Sequence, residues 1–139
     1  MMRAGRSART RRCGRPEARK RLGDARKYLE VADLVAGEDD PESLNVSVGL
    51  AVLAGIAASD AACCVALGES SRGEDHRDAA DLLRRVVPGG ERAAKDFARL
   101  VAFKDSAHYG FVGVSAAGRA GALRRAGALV AFAAATLER

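Results

Sequence analysis

Apolar residues recur at three- and four-residue spacing along most of the chain, which predicts a succession of helices. From about Pro16, the residues Leu22, Ala25, Leu29, Ala32 and Val35 keep this period. Pro16 suits a first helical turn, and Gly37 with the Glu38, Asp39, Asp40, Pro41 cluster closes the helix. Asp40 before Pro41 is an N-cap and first-turn pair for a second helix over residues 44–67. That helix is apolar almost all the way round, as expected of the central member of a bundle. Its length also fits a membrane span. Asp60 inside it would cost about 2.5–3.5 kcal/mol on insertion scales. Its apolar residues are mostly Ala and Gly, and no second span of that kind accompanies it.

Residues 68–73 read as a loop. A third helix is predicted over 74–86, with Ala79, Leu82, Leu83 and Val86 inward, and Pro88, Gly89 and Gly90 end it. A fourth covers 91–109, and residues 110–113 break its pattern. Ser115 caps a last helix carrying Leu123, Leu129, Val130, Phe132 and Leu137. No segment sustains strand alternation between hairpin turns, and residues 110–114 are the only β-like piece. Five helices on short connections predict an all-α antiparallel bundle, a single domain over residues 17–139.

Composition narrows the class. With 139 residues, 48% of them hydrophobic and 29% charged, the chain is long enough for one real core. Wholesale disorder, a collagen-like fibre and a disulfide scaffold are excluded. The formal net charge is +5, and its location changes its meaning. Residues 1–16 hold Arg3, Arg6, Arg9, Arg11, Arg12 and Arg15 and no acid, leaving 17 basic and 18 acidic side chains, a net of −1, in the rest. The segment lacks apolar periodicity and is expected to be a disordered basic tail. Three readings of it stand: an arm that neutralises RNA or DNA phosphates, a solvated extension, and an extension ahead of the true start. It is not a secretory signal, since no apolar region follows the charges, and only its composition speaks for a mitochondrial-type transit peptide. The three cysteines are an odd number, with Cys63 and Cys64 adjacent in an apolar run. They are expected to be reduced residues of a cytoplasmic protein.

Polar residues on apolar stripes are the candidates for chemistry. Phe97, Val101, Lys104, His108 and Phe111 step by four, three, four and three along the fourth predicted helix. Lys104 and His108 thus lie one turn apart on an inward seam. A neighbouring cation lowers the pKa of an imidazole, and neutral imidazole beside a fixed charge is a general base with a phosphate-binding neighbour. The plainer alternative has Lys104 snorkelling to solvent and His108 donating to a carbonyl. Asp105 and Tyr109 either extend this polar cluster or are surface residues. Asp60 requires a partner, Lys104 or His108, unless it faces a solvent groove beside Ser59. His76, at the start of the third helix, reads as a packing or capping residue. No histidine–cysteine spacing suits a metal, and no cofactor loop is present. A nucleophile elbow and an aromatic–basic interleave are absent too.

Over residues 17–137 these features resemble the HEPN (higher eukaryotes and prokaryotes nucleotide-binding) helical domain. The resemblance lies in the helix order and in Asp60 within the apolar second helix. It lies also in His76, Arg77, Asp78, Ala79, Ala80, Asp81, Leu82 and Leu83 opening the third helix, and in Lys104, Asp105, Ser106, Ala107, His108, Tyr109 and Gly110 closing the fourth. It implies a homodimer that binds RNA or a nucleotide, without cofactor, as a metal-independent ribonuclease of toxin type beside an antitoxin partner, or as a non-catalytic binding module. Catalytic members carry an arginine, a short spacer and a histidine. Here the basic residue nearest His108 is Lys104, with three residues between, and Arg99 is separated by eight. Lysine lacks the planar fork that grips phosphate bidentately. On the catalytic reading His108 is base or acid, Lys104 stabilises phosphate charge and Asp60 orients the imidazole, with Tyr109, Asp105 and Arg99 as substrate contacts. The competing class is a non-catalytic protein-interaction module in which Asp60, Lys104 and His108 form a structural polar core. Neither class places the chain in a membrane.

Overall fold

The structure, a computed structural model, describes residues 9–72, 75–104 and 113–139. Among the described residues it contains five helices packed against one another: α1 (Arg15–Val35), α2 (Pro41–Leu67), α3 (His76–Arg84), α4 (Gly90–Val101) and α5 (Ala116–Leu137). A two-stranded sheet pairs β1 (Thr10–Arg12) with β2 (Glu69–Ser71).

Local chemistry starts and stops most of these helices. The N–H of Gly14 donates to Glu17 Oε1 (2.8 Å) at the head of α1, where Pro16 occupies the first turn. Asp40 caps α2, accepting from Ser43 N–H (3.0 Å) and Ser43 Oγ (2.8 Å). Gly68, in the left-handed region at φ 78°, ends α2 by donating to the Cys64 carbonyl. Ser115 caps α5 by accepting from Gly118 N–H (2.9 Å).

The core is built around α2, which contacts every other helix and most extensively α1 and α5, while α3 packs on α4 and α4 on α5. Phe97, Leu83, Leu100, Leu129, Val48 and Val52 are fully buried. Each such side chain contributes about 1.5–3 kcal/mol relative to exposure. The many alanines of α2 let its neighbours approach closely. At Gly55 an added Cβ would collide with Leu100 and come within 3.3 Å of Leu129. A buried arginine ties the far end: Arg119 donates from Nη1 to the Glu38 carbonyl (2.6 Å), with Asp39 3.5 Å from Nη2.

Several expectations are corrected. Residues 9–16 do not behave as a tail. β1 pairs antiparallel with β2, Thr10 opposite Ser71 and Arg12 opposite Glu69, and Arg15 and Pro16 already belong to α1. Three residues are too few for alternation to be visible, and the partner strand lies within the stretch read as a loop. Cys13 and Cys64 form a disulfide, so the cysteines are not all reduced, and only Cys63 is a free thiol. The bond spans a sequence separation of 51, and closing a loop of that size in the unfolded chain is worth about 4 kcal/mol on the chain-entropy account.

The third helix begins at His76 rather than at residue 74, because Asp75 caps it by accepting from Arg77 N–H (2.9 Å). The fourth ends at Val101, not at residue 109. The chain turns at Ala102 and Phe103, and the Phe103 ring packs against the core beside the bare Cα of Gly118. A second helix, α5, is also long and apolar enough to cross a membrane by length and composition, so α2 is not alone in this. Most of α2 is nonetheless enclosed by its neighbours.

Candidate functional site

Asp60 and Cys64 lie one turn apart on α2, on the face that meets the start of α1. Arg21 reaches this face from α1 and donates from Nε (3.0 Å) and Nη2 (2.9 Å) to Asp60 Oδ2. Its Nη1 lies 3.1 Å from Asp24 Oδ2, and Lys20 Nζ contacts both Asp24 oxygens at 3.0 and 2.9 Å. The result is a charge ladder, Lys20–Asp24–Arg21–Asp60, across the α1–α2 contact. Burial pushes the Asp60 carboxyl above its usual range, opposed by the charge and hydrogen bond of Arg21 and by the charge of Arg11. The hydrogen bond from Lys20 is the largest influence on Asp24 and holds its carboxyl below that range.

The ladder forms one wall of a groove of about 560 Å³. β1 forms the other, with Arg11 and Arg12, and the Cys13–Cys64 disulfide lies between the two. Four cations, Arg11, Arg12, Lys20 and Arg21, therefore face three acids, Glu17, Asp24 and Asp60. Those acids are already engaged, Glu17 by the Gly14 N–H and the two aspartates by Lys20 and Arg21. Arg11 and Arg12 are exposed and have no ion-pair partner among the described residues. The groove thus carries one positive charge in excess and presents two guanidiniums outside any ion pair among the described residues, the side chain best suited to phosphate oxygens.

Of the residues expected to form a catalytic site, Asp60 and Lys104 are described, and each is engaged by a different partner. Asp60 is paired with Arg21, not with Lys104, because the cation is supplied laterally by α1. Lys104 is half-buried and lies 3.4 Å, Nζ to Nε2, from His76. The His76 ring stands edge-on to Phe97, with centroids 6.0 Å apart, consistent with its reading as a packing residue. Arg99 is exposed on α4. His108, Asp105 and Tyr109 lie outside the described residues. Among the described residues, no group of histidine, cysteine and carboxylate side chains could hold a metal ion.

Sequence reasoning missed Arg21, Arg11, Arg12 and the disulfide. One signal for Arg21 was present: it stands three residues after Ala18 and four before Ala25, both fully buried, so it borders the apolar stripe of α1. For the disulfide, the signal was an isolated cysteine in the basic segment. Spacing alone does not choose between Cys63 and Cys64 as its partner; the helical turn does, since Cys64 shares the face of Asp60. No protein family, no curated protein and no solved structure matches this chain.

Proposed function

We propose that this chain is a helical RNA- or nucleotide-binding domain that takes ligand phosphates in the groove between β1 and α1. The observation that carries this reading is the Arg11–Arg12 couple, without an ion-pair partner among the described residues, on a groove with one more cation than acids. Among the described residues the lining contains no aromatic side chain, so the groove suits phosphate rather than base recognition, and binding is salt-dependent and tolerant of sequence. The test is fluorescence anisotropy of a labelled single-stranded RNA against the oxidised full chain over a salt series. Arg11→Ala and Arg12→Ala should each lower the slope of log affinity against log salt by about 0.7. Binding that is absent at low salt, or unchanged in the double variant, removes the reading.

The HEPN resemblance adds metal-independent cleavage, with His108 as base or acid. The pairings of Asp60 and Lys104 do not support their joint role, so the reading adopted is binding. The same assay decides between them: RNA cleavage that survives chelator and is lost in His108→Ala restores the ribonuclease.

A specific observation favours protein interaction as a second reading. Leu34, Val46 and Leu53 are exposed, at 71%, 52% and 37%, and Val46 and Leu53 lie two turns apart on one face of α2. A second copy or an antitoxin-like partner would cover such a face. Light scattering on wild type and on Val46→Glu/Leu53→Glu tests the homodimer.

A cytoplasmic location remains part of this proposal, and the Cys13–Cys64 disulfide is the observation that weighs against it. A disulfide there is made and broken rather than permanent.

A further inference from the structure

The Cys13–Cys64 bond is the only covalent tie between β1 and the helical body beyond the chain itself. Several other contacts of β1 are weak. Its ladder with β2 has three residue pairs, and an isolated two-stranded ribbon is marginal in water. Cys13 N–H donates to the Gly68 carbonyl (3.0 Å) and Arg72 N–H to the Arg9 carbonyl (2.8 Å). The Arg9–Asp78 ion pair (3.2 Å) is exposed and contributes little. No β1 residue belongs to the core cluster. α1, in contrast, is anchored independently: Ala18 and Leu22 are buried, and Arg15 Nη1 donates to the Leu137 carbonyl (2.6 Å).

We infer that Cys13–Cys64 is a redox latch: reduced by a cellular monothiol or dithiol, it releases residues 9–13 from β2 and takes Arg11 and Arg12 off the groove. This rests on the phosphate-binding reading of that groove. The chemistry is ordinary exchange. Both cysteines line the groove, and Cys13 is the less buried of the two. A reductant thiolate attacks Cys13 Sγ, the S–S bond breaks, and Cys64 leaves as a thiolate that takes a proton. A second reductant thiolate attacks the reductant sulfur of the mixed disulfide, forming the oxidised reductant and releasing Cys13, which is protonated in turn. Two electrons and two protons pass to the protein. Cys63 does not compete, being buried with its thiol pushed up to about 12. Release stops at Gly14, where the anchored helix begins.

The experiment compares the oxidised full chain, the phosphine-reduced chain and Cys13→Ser, with Cys63→Ser as control. Amide hydrogen exchange reads release directly, circular dichroism reads helicity, and anisotropy of a labelled single-stranded RNA reads the groove. Reduction and Cys13→Ser should speed exchange in residues 10–13 and 69–71, leave helicity intact and lower the salt slope by about 1.4, two contacts at about 0.7 each. Cys63→Ser should behave as wild type. Unchanged exchange on reduction overturns the latch whatever RNA does, and so does collapse of helicity. Exchange that responds in a protein whose oxidised form binds no RNA overturns the binding reading, and the gating with it, while the release stands. Release with unchanged RNA affinity overturns the gating alone.

Discussion

Arg21 directs two donors, Nε and Nη2, at a single oxygen of Asp60, and this couple closes α1 against α2. The two side chains are only 30% and 23% exposed. Neither is dispensable in the same way. Arg21 retains Asp24 when Asp60 is neutralised, whereas Asp60 has no second partner of comparable geometry among the described residues. Arg21→Met should therefore destabilise the fold by about 2 kcal/mol, the cost of an unsatisfied part-buried polar group, and Asp60→Asn by clearly less. Urea unfolding midpoints of the two variants check this. Equal midpoints would show that the pair is not the asymmetric contact described.

Acid should separate these carboxylates by sign. The folded state lowers Asp24 through Lys20, Asp40 through the Ser43 hydroxyl and Asp75 through the Arg77 N–H. Each of these contributes stability above the ordinary carboxylate pKa that is lost as pH falls through the folded value. Asp60 is raised, so its charged form is a cost to the fold at neutral pH and protonation relieves it. The stability deficit of Arg21→Met should consequently shrink as pH falls through the carboxylate range, while that of Asp40→Ala also shrinks, because the wild-type cap is then lost. Melting temperatures from pH 7 downward read both trends. A deficit of Arg21→Met that widens in acid contradicts the assignment.

Close packing at α2 gives a purely steric expectation. Gly55→Ala places a methyl group against Leu100 and Leu129, and should cost about 1–3 kcal/mol, as overpacking of a filled core does. Gly23→Ala, with nothing within 4 Å of the added atom, should be neutral or stabilising, since alanine is the better helix former. Thermal melts of the two variants give a direct contrast.

Cys63 should be silent in the native protein. It is buried and its thiol is pushed up to about 12, burial being the main cause and the charge of Asp60 adding to it. Thiol titration of the oxidised chain at pH 8 should detect no reactive group until denaturant is added, and then one. A thiol that reacts at once in the folded protein would place Cys63 at the surface.

Much of the bundle was legible from residues acting on their own neighbours. The caps at Asp40 and Ser115, the role of Pro16 and the inward set Leu82, Leu83 and Val86 are local, and each holds. The fourth helix was overextended for a physical reason. The apolar period runs on through Lys104, but Phe103 turns out of register to pack against the core. The candidate site was less legible, because a helical period says which face is inward and not which helix will meet it. Asp60 was correctly singled out as a carboxylate in need of a cation. That the cation would come from Arg21, 39 positions earlier, depends on how α1 lies along α2. β1 was hidden for a related reason, since its pairing is set by one distant cysteine.

The disulfide also divides the molecule topologically. Residues 13–64 form a covalent ring that contains all of α1 and most of α2, while α3, α4 and α5 hang from it as an open branch. A single backbone cut in the turn between α1 and α2 therefore leaves the oxidised protein one covalent molecule. The same cut made in the branch sheds a fragment.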